Sequence, residues 1–228
     1  MQRIFLLIIL ILVLLLTGCG NSADNSAPDQ KVKADPEISS GDVQKETPAV
    51  HIRKKYPLES GIITFERTGV IGNEKVTVYF ADYGTKERRE TIAEDGSVKE
   101  LLFTDGENMY KLMTIEDGSK MAYIYGPGNF GTEMKFEPDP FRNSPERAEK
   151  YKFQKLDNIQ IAGKDCEAYS TVTQTGKIIF AGWNGLHLYS KAELSIGKME
   201  TIAVDIKENA DVDPELFKVP EDYKVQKI

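Results

Sequence analysis

Hydrophobic and polar positions divide the chain into three textures. Residues 4–16 form an unbroken apolar run of thirteen, preceded by one basic side chain, Arg3. Residues 20–56 are rich in Ser, Asp, Asn, Pro, Lys and Glu, with few large apolar side chains and no period. Such a stretch buries too little apolar surface to offset the entropy of ordering, so it reads as a disordered tether. From Pro57 onward, short runs alternate apolar and polar positions between turn residues. That period of two is the signature of β-strands.

The alternation predicts strands over 61–66, 76–80, 86–93, 98–104, 108–114 and 120–125. Asp95-Gly96, Asp105-Gly106 and Asp117-Gly118 fall between the later ones, ten and twelve residues apart. Asp-Gly accepts the positive φ angles of tight turns, so this spacing predicts an antiparallel meander. The rhythm breaks at Gly126-Pro127-Gly128 and Glu137-Pro138-Asp139-Pro140. Ser144-Pro145-Glu146 then offers an N-cap, a proline at the first helical position and an early acid, which predicts a helix of two to three turns ending near Phe153. Strands resume over 158–162, 165–173, 177–183, 186–193 and 198–206, with Asn184-Gly185 as a specific hairpin turn. A single helical turn is expected at 213–217. The fold class is therefore mainly β: a strongly curved antiparallel sheet of about eleven strands with one short helix inserted near the middle. Met109 and Met113 alternate with Tyr110 and Leu112, so this part of the sheet is apolar on both faces. A one-sided sheet has no need of that; a sheet bearing a helix, or lining an apolar cavity, does.

The apolar run at the start is short of the roughly 20 residues that span a bilayer. It leads through Leu16-Thr17-Gly18 into Cys19. A basic start, a short apolar core and small residues before a cysteine make a cleavable secretory signal. The four residues resemble the lipobox of bacterial lipoproteins. The resemblance implies that residues 1–18 are removed and that Cys19 carries the lipid at the new N-terminus. The alternative, an uncleaved signal anchor, would be too short. Removing eighteen of 228 residues takes away only Arg3 among the charges. The balance becomes 28 basic against 36 acidic side chains, a net charge of -8 in place of -7. That acidity argues against nucleic-acid binding and against broad adhesion to anionic lipid. Membrane attachment then falls to the acyl chains, and two or more of them anchor stably. Residues 19–56 become a lipidated tether and 57–228 the β domain. With Cys19 acylated, Cys166 is the one thiol left, so no disulfide within the chain is possible. Between Asp165 and Glu167, its thiolate is disfavoured, and it reads as a small apolar strand residue.

Little in the chain points to catalysis. His51 and His187 have no metal-ligand spacing to each other, to cysteine or to carboxylates, so no metal site and no cofactor are expected. The glycine-rich run 126–131 lacks the Gly-Lys-[Ser/Thr] ending of a phosphate loop; its Phe130 is either exposed or tucked into the core. No serine-hydrolase elbow, zinc-protease motif or cysteine-protease arrangement occurs, and an enzyme is not expected. Trp183, Tyr169, Tyr189, Tyr123 and Tyr125 are strand aromatics that fit a core or a ligand wall. Met109, Met113, Met121 and Met134, with Phe130, supply adaptable apolar surface, and these five are the candidate ligand-binding residues.

Three stretches of the region from Pro57 onward resemble the LolA/LolB-like lipoprotein-sorting half-barrel. Residues 161–169, Ile-Ala-Gly-Lys-Asp-Cys-Glu-Ala-Tyr, resemble the paired strands after that family's helix. Residues 183–188, Trp-Asn-Gly-Leu-His-Leu, resemble its central hairpin, and 213–220, Asp-Pro-Glu-Leu-Phe-Lys-Val-Pro, its C-terminal ending. The resemblance implies a half-barrel enclosing an apolar cavity for acyl chains. The functions it leaves open are a membrane-tethered carrier or receptor for a hydrophobic ligand, and a structural or interaction lipoprotein of the envelope with a filled core. Its partners would be the membrane, through Cys19, and a hydrophobic ligand or envelope protein. Since Gly20 and Asn21 follow the cysteine in place of aspartate, the expected location is the outer membrane, facing the periplasm, if the source has two membranes.

Overall fold

The computed structural model describes residues 54–70, 72–127, 134–138, 140–141 and 143–228. The leader, Cys19, nearly all of the tether and Phe130 lie outside the described residues. The rest belongs to a single unit, Ala49–Ile228.

Six strands follow one another as a meander: β1 (Gly61–Gly69), β2 (Glu74–Ala81), β3 (Lys86–Ala93), β4 (Val98–Thr104), β5 (Asn108–Thr114) and β6 (Lys120–Pro127). A short helix α1 (Pro145–Lys150) and the two-residue β7 (Gln154–Lys155) precede a second series. This comprises β8 (Ile159–Ile161), β9 (Lys164–Thr173), β10 (Gly176–Trp183), β11 (Leu186–Leu194) and β12 (Gly197–Glu208). A 3-10 turn (Pro214–Phe217) and β13 (Lys224–Lys227) end the chain. All thirteen strands join one sheet in the order β13-β6-β5-β4-β3-β2-β1-β12-β11-β10-β9-β7, with β8 paired to β9. The first and last long strands, β1 and β12, pair antiparallel and weld the two meanders together.

Turn chemistry sets the register. In the three Asp-Gly turns only the glycine takes positive φ, at 83°, 103° and 82°. The aspartate contributes its side chain instead: Asp95, Asp105 and Asp117 each accept a backbone N–H two residues on, at 2.8–2.9 Å. This is the hydrogen bond that suits aspartate to turns. Asn184-Gly185 differs, with φ of 46° and 72° on the two residues, as a two-residue hairpin turn demands.

The sheet curls until its two meanders meet. Ile63, Val78 and Phe80 of β1 and β2 share one buried cluster with Ile161, Cys166, Ala168, Leu186 and Leu188 of β8, β9 and β11. Those strands lie several places apart along the sheet, so this cluster fills the inner, concave face. Register shifts at Thr64/Phe65 in β1 and Ala181/Gly182 in β10 add the local bending that bulges produce. Gly182 is required by close approach, because a Cβ there would sit 2.1 Å from the Phe136 ring. On the outer face of the first meander a smaller cluster joins Phe103, Leu112 and Ala122 to Leu101, Tyr110, Val219 and Tyr223. The C-terminal segment thus covers the outside of β4–β6. Arg88 helps hold it there by donating to the Leu216 carbonyl at 3.1 Å.

The sheet is not wholly antiparallel: β13 pairs parallel with β6, Lys224 opposite Met121 through Lys227 opposite Ile124. Thirteen strands replace the eleven expected, the additions being β7 and β13. The helix is shorter than its signal, ending at Lys150 with Tyr151 as its cap, just before Lys152 turns to a φ of 48°. None of its residues is buried, so the helix does not fill the sheet. The domain also begins before residue 57, since Tyr56 is 1% exposed and belongs to the inner cluster.

Candidate functional site

Residues opposite one another in a β-ladder share a face. Rows across the first meander therefore show what its inner face presents. The middle row runs Ile63, Val78, Arg89, Leu102, Lys111 and Tyr123 over β1 to β6. One flanking row carries Gly61, Phe80, Glu87, Thr104 and Met109; the other carries Phe65, Val76, Thr91 and Glu100, and Met113 faces Met121 farther along. Moving outward from β1, the face changes character. It is a buried aliphatic and aromatic core on β1 and β2, a charged band on β3, and an apolar strip on β5 and β6.

The strip consists of Met109, Met113, Met121, Tyr123 and Tyr125. Met113 is 41% and Tyr125 49% exposed, and the other three are half-buried. None of the five belongs to either buried cluster. Lys111 stands among them, its Nζ 3.1 Å from the Glu100 carboxylate, with side chains 28% and 43% exposed. Of the residues named from sequence, Met109, Met113 and Met121 come together here. Met134 does not: it lies 6% exposed in the inner cluster, and its carbonyl accepts the His187 N–H at 2.9 Å. Phe130 and Cys19 lie outside the described residues.

The charged band carries no sequence motif. Glu87 has no exposed surface, yet accepts from Lys55 Nζ at 2.6 Å, Tyr56 Oη at 2.5 Å and Arg89 Nε at 2.8 Å. Burial alone would push its carboxyl up, but the Arg89 and Lys55 charges and the bonds from Lys55 and Tyr56 outweigh it and hold it below the usual range. Burial, then the Glu87 charge and hydrogen bond, push the Tyr56 phenol well above its ordinary value, so it remains a donor. Tyr56 meets Phe80 edge-on at 4.9 Å and lies over Gly84, where a Cβ would come within 2.3 Å of the ring. A signal existed. Lys86-Glu87-Arg88-Arg89-Glu90 on a strand must direct charges to both faces, hence some of them inward.

The remaining candidates have ordinary settings. Cys166 is buried, and burial with the neighbouring Asp165 pushes its thiol up to about 11. Tyr189, pushed up to about 12 by burial and by Glu200, donates to that carboxylate at 2.8 Å. Trp183 packs on the inner cluster beneath the Lys164 ammonium, 4.4 Å from its ring centre. Tyr169 and His187 belong to a run of rings through Phe180, at 5.9 and 6.5 Å, on the second meander. Among the described residues, no group of three or more His, Cys, Asp or Glu side chains is arranged to hold a metal ion. No helix of the described residues is long and apolar enough to cross a membrane.

Fold and face define a mainly β domain on one open, curled sheet of two welded meanders, with a filled core at its centre and an apolar strip toward one edge. No protein-family model and no curated protein matches the chain. Among solved structures it is similar to an uncharacterized conserved protein from Thermus thermophilus: 10% identity, TM-score 0.52, covering 78% of this chain and 94% of that one. It is also similar to a chain of the Pseudomonas aeruginosa MucA/MucB complex, at 12% identity and TM-score 0.47, covering 74% of this chain and 58% of that one. A putative outer membrane lipoprotein-sorting protein domain from Vibrio parahaemolyticus aligns at 11% identity and TM-score 0.28, covering 69% and 88%. The first likeness shows the fold alone.

Proposed function

We propose that the protein is a non-catalytic lipoprotein of the bacterial cell envelope, held to a membrane by acyl chains on Cys19, whose β domain binds a hydrophobic ligand along the inner face of β5 and β6. The observation that carries the binding is the strip itself. Three methionines and two tyrosines share the inner face with the core, yet remain half-buried or exposed outside it. Methionine adapts its shape to irregular partners, and tyrosine offers a flat apolar body with a polar tip. The lipobox supports the anchor, and the motif resemblance to the lipoprotein-sorting fold supports an acyl-chain ligand. In a source with two membranes, Gly20 and Asn21 support the periplasmic face of the outer membrane.

The test uses residues 49–228, the unit that contains every described residue, purified without detergent. Native mass spectrometry reads any co-purifying lipid, and titration with the neutral dye N-phenylnaphthylamine reads binding. A lipid mass, or saturable one-to-one binding at micromolar Kd (about -8 kcal/mol), is the expected result. Neither a bound mass nor saturation overturns the reading. A second reading, a structural or interaction lipoprotein, is favoured by the inner cluster: side chains from both meanders already fill the centre of the sheet. That reading predicts no dye binding.

A further inference from the structure

The charges on the inner face do not cancel. On this face of β1–β6 and β13, Arg67, Arg89, Lys111 and Lys224 stand in the rows, and Lys55 and Lys99 reach in to Glu87 and Glu74, so that cations outnumber the carboxylates Glu74, Glu87 and Glu100 in a chain whose total is -7. Glu87 is committed to two cations and a phenol in the buried band. Lys224, opposite Met121, borders the apolar strip from the edge strand β13, while Lys111 stands within the strip, two strands from Arg89 in the same row, or roughly 10 Å at the ladder spacing. Its partner Glu100 is 43% exposed, so water screens that pair and the ammonium is readily exchanged. A lysine head on a flexible stem can follow a new partner across a short distance. An uncharged chain covering the strip would remove water from this ammonium and add no partner beyond Glu100. A chain ending in an anion would replace that water with a charge-assisted hydrogen bond.

We infer that the ligand of the β5–β6 face is a long-chain carboxylate, its apolar tail on Met109, Met113, Met121 and the tyrosines and its charge met by Lys111. This rests on the binding reading above, and the experiment separates the two. N-phenylnaphthylamine bound to residues 49–228 is displaced by hexadecanoate and, separately, by hexadecanol, at low and at high ionic strength. The wild-type domain should release the dye at an approximately tenfold lower concentration of hexadecanoate than of hexadecanol, a preference of about 1.4 kcal/mol. Salt should shrink that preference. Lys111→Met should lose it, with circular dichroism showing that the sheet is intact. Lys75→Met, which removes a cation from the outer face of β2, should keep it. Equal displacement by the two ligands in the wild type, or a preference that survives Lys111→Met, overturns the charge assignment and leaves hydrophobic binding standing. Dye that never binds overturns both.

Discussion

Replacing Glu87 by glutamine tests whether the buried charged band is what locks the start of the domain to the sheet. The substitution keeps the size of the side chain and removes its charge. It takes away the carboxylate that Lys55, 7% exposed, and Arg89, 15% exposed, share. Breaking a buried ion pair by removing one partner costs about 3–5 kcal/mol, because the remaining charge is stranded in a poor solvent. For a domain of this size that is a fall in Tm of roughly 6–20 °C. The assay is thermal and urea unfolding of residues 49–228, wild type against Glu87→Gln, followed down in pH. The direction with pH follows from the lowered folded-state carboxyl. Glu87 stabilises above its unfolded value near 4.5, and that contribution disappears as pH falls through the still lower folded value. The two proteins should therefore differ most near neutrality and converge in acid. A loss below about 1 kcal/mol at neutral pH, the range of an exposed pair, would refute the reasoning, as would a gap that widens in acid.

Two further outcomes follow from the same account. Cys19→Ala should move the protein from the membrane fraction to the soluble one once the leader is supplied by an ordinary cleavable signal; processed protein that still sediments with membranes would contradict lipid anchoring. The Cys166 thiol, buried and pushed up to about 11, should label with a thiol reagent at pH 8 only as fast as the domain opens. Prompt labelling of the folded domain would place Cys166 outside the core.

The strands were legible because each carries its own period and its own turn. All eleven runs found by alternation are strands, and the Asp-Gly and Asn-Gly pairs fall at the turns. The strand β13 was not legible. Lys-Val-Gln-Lys has all four residues exposed and pairs parallel to a strand a hundred residues earlier, so no local alternation betrays it. The strand β7 has two residues, too few for any period. Tyr56 was grouped with the tether because its neighbours are Lys54, Lys55 and Pro57, and only the distant Glu87 makes that tyrosine a core residue. The methionines show the limit most clearly. Alternation puts Met109 and Met113 on one face, but methionine suits a core and a binding surface equally. Which of them is covered depends on where the second meander and the 134–136 segment fall, and that is settled by the β1–β12 pairing, not by local sequence.

Those methionines also give the most direct test of ligand binding on the inner face. Residues 49–228 contain five: Met109, Met113 and Met121 on the strip, Met134 in the core and Met199 on β12. With the methyl groups labelled with carbon-13 and assigned by single substitutions, hexadecanoate is titrated in and each methyl resonance followed by NMR. The account predicts saturable shifts at Met109, Met113 and Met121 with one common Kd, while Met134 and Met199 stay near their free positions. Shifts confined to Met134 or Met199, or five unmoved resonances at saturating ligand, would contradict it.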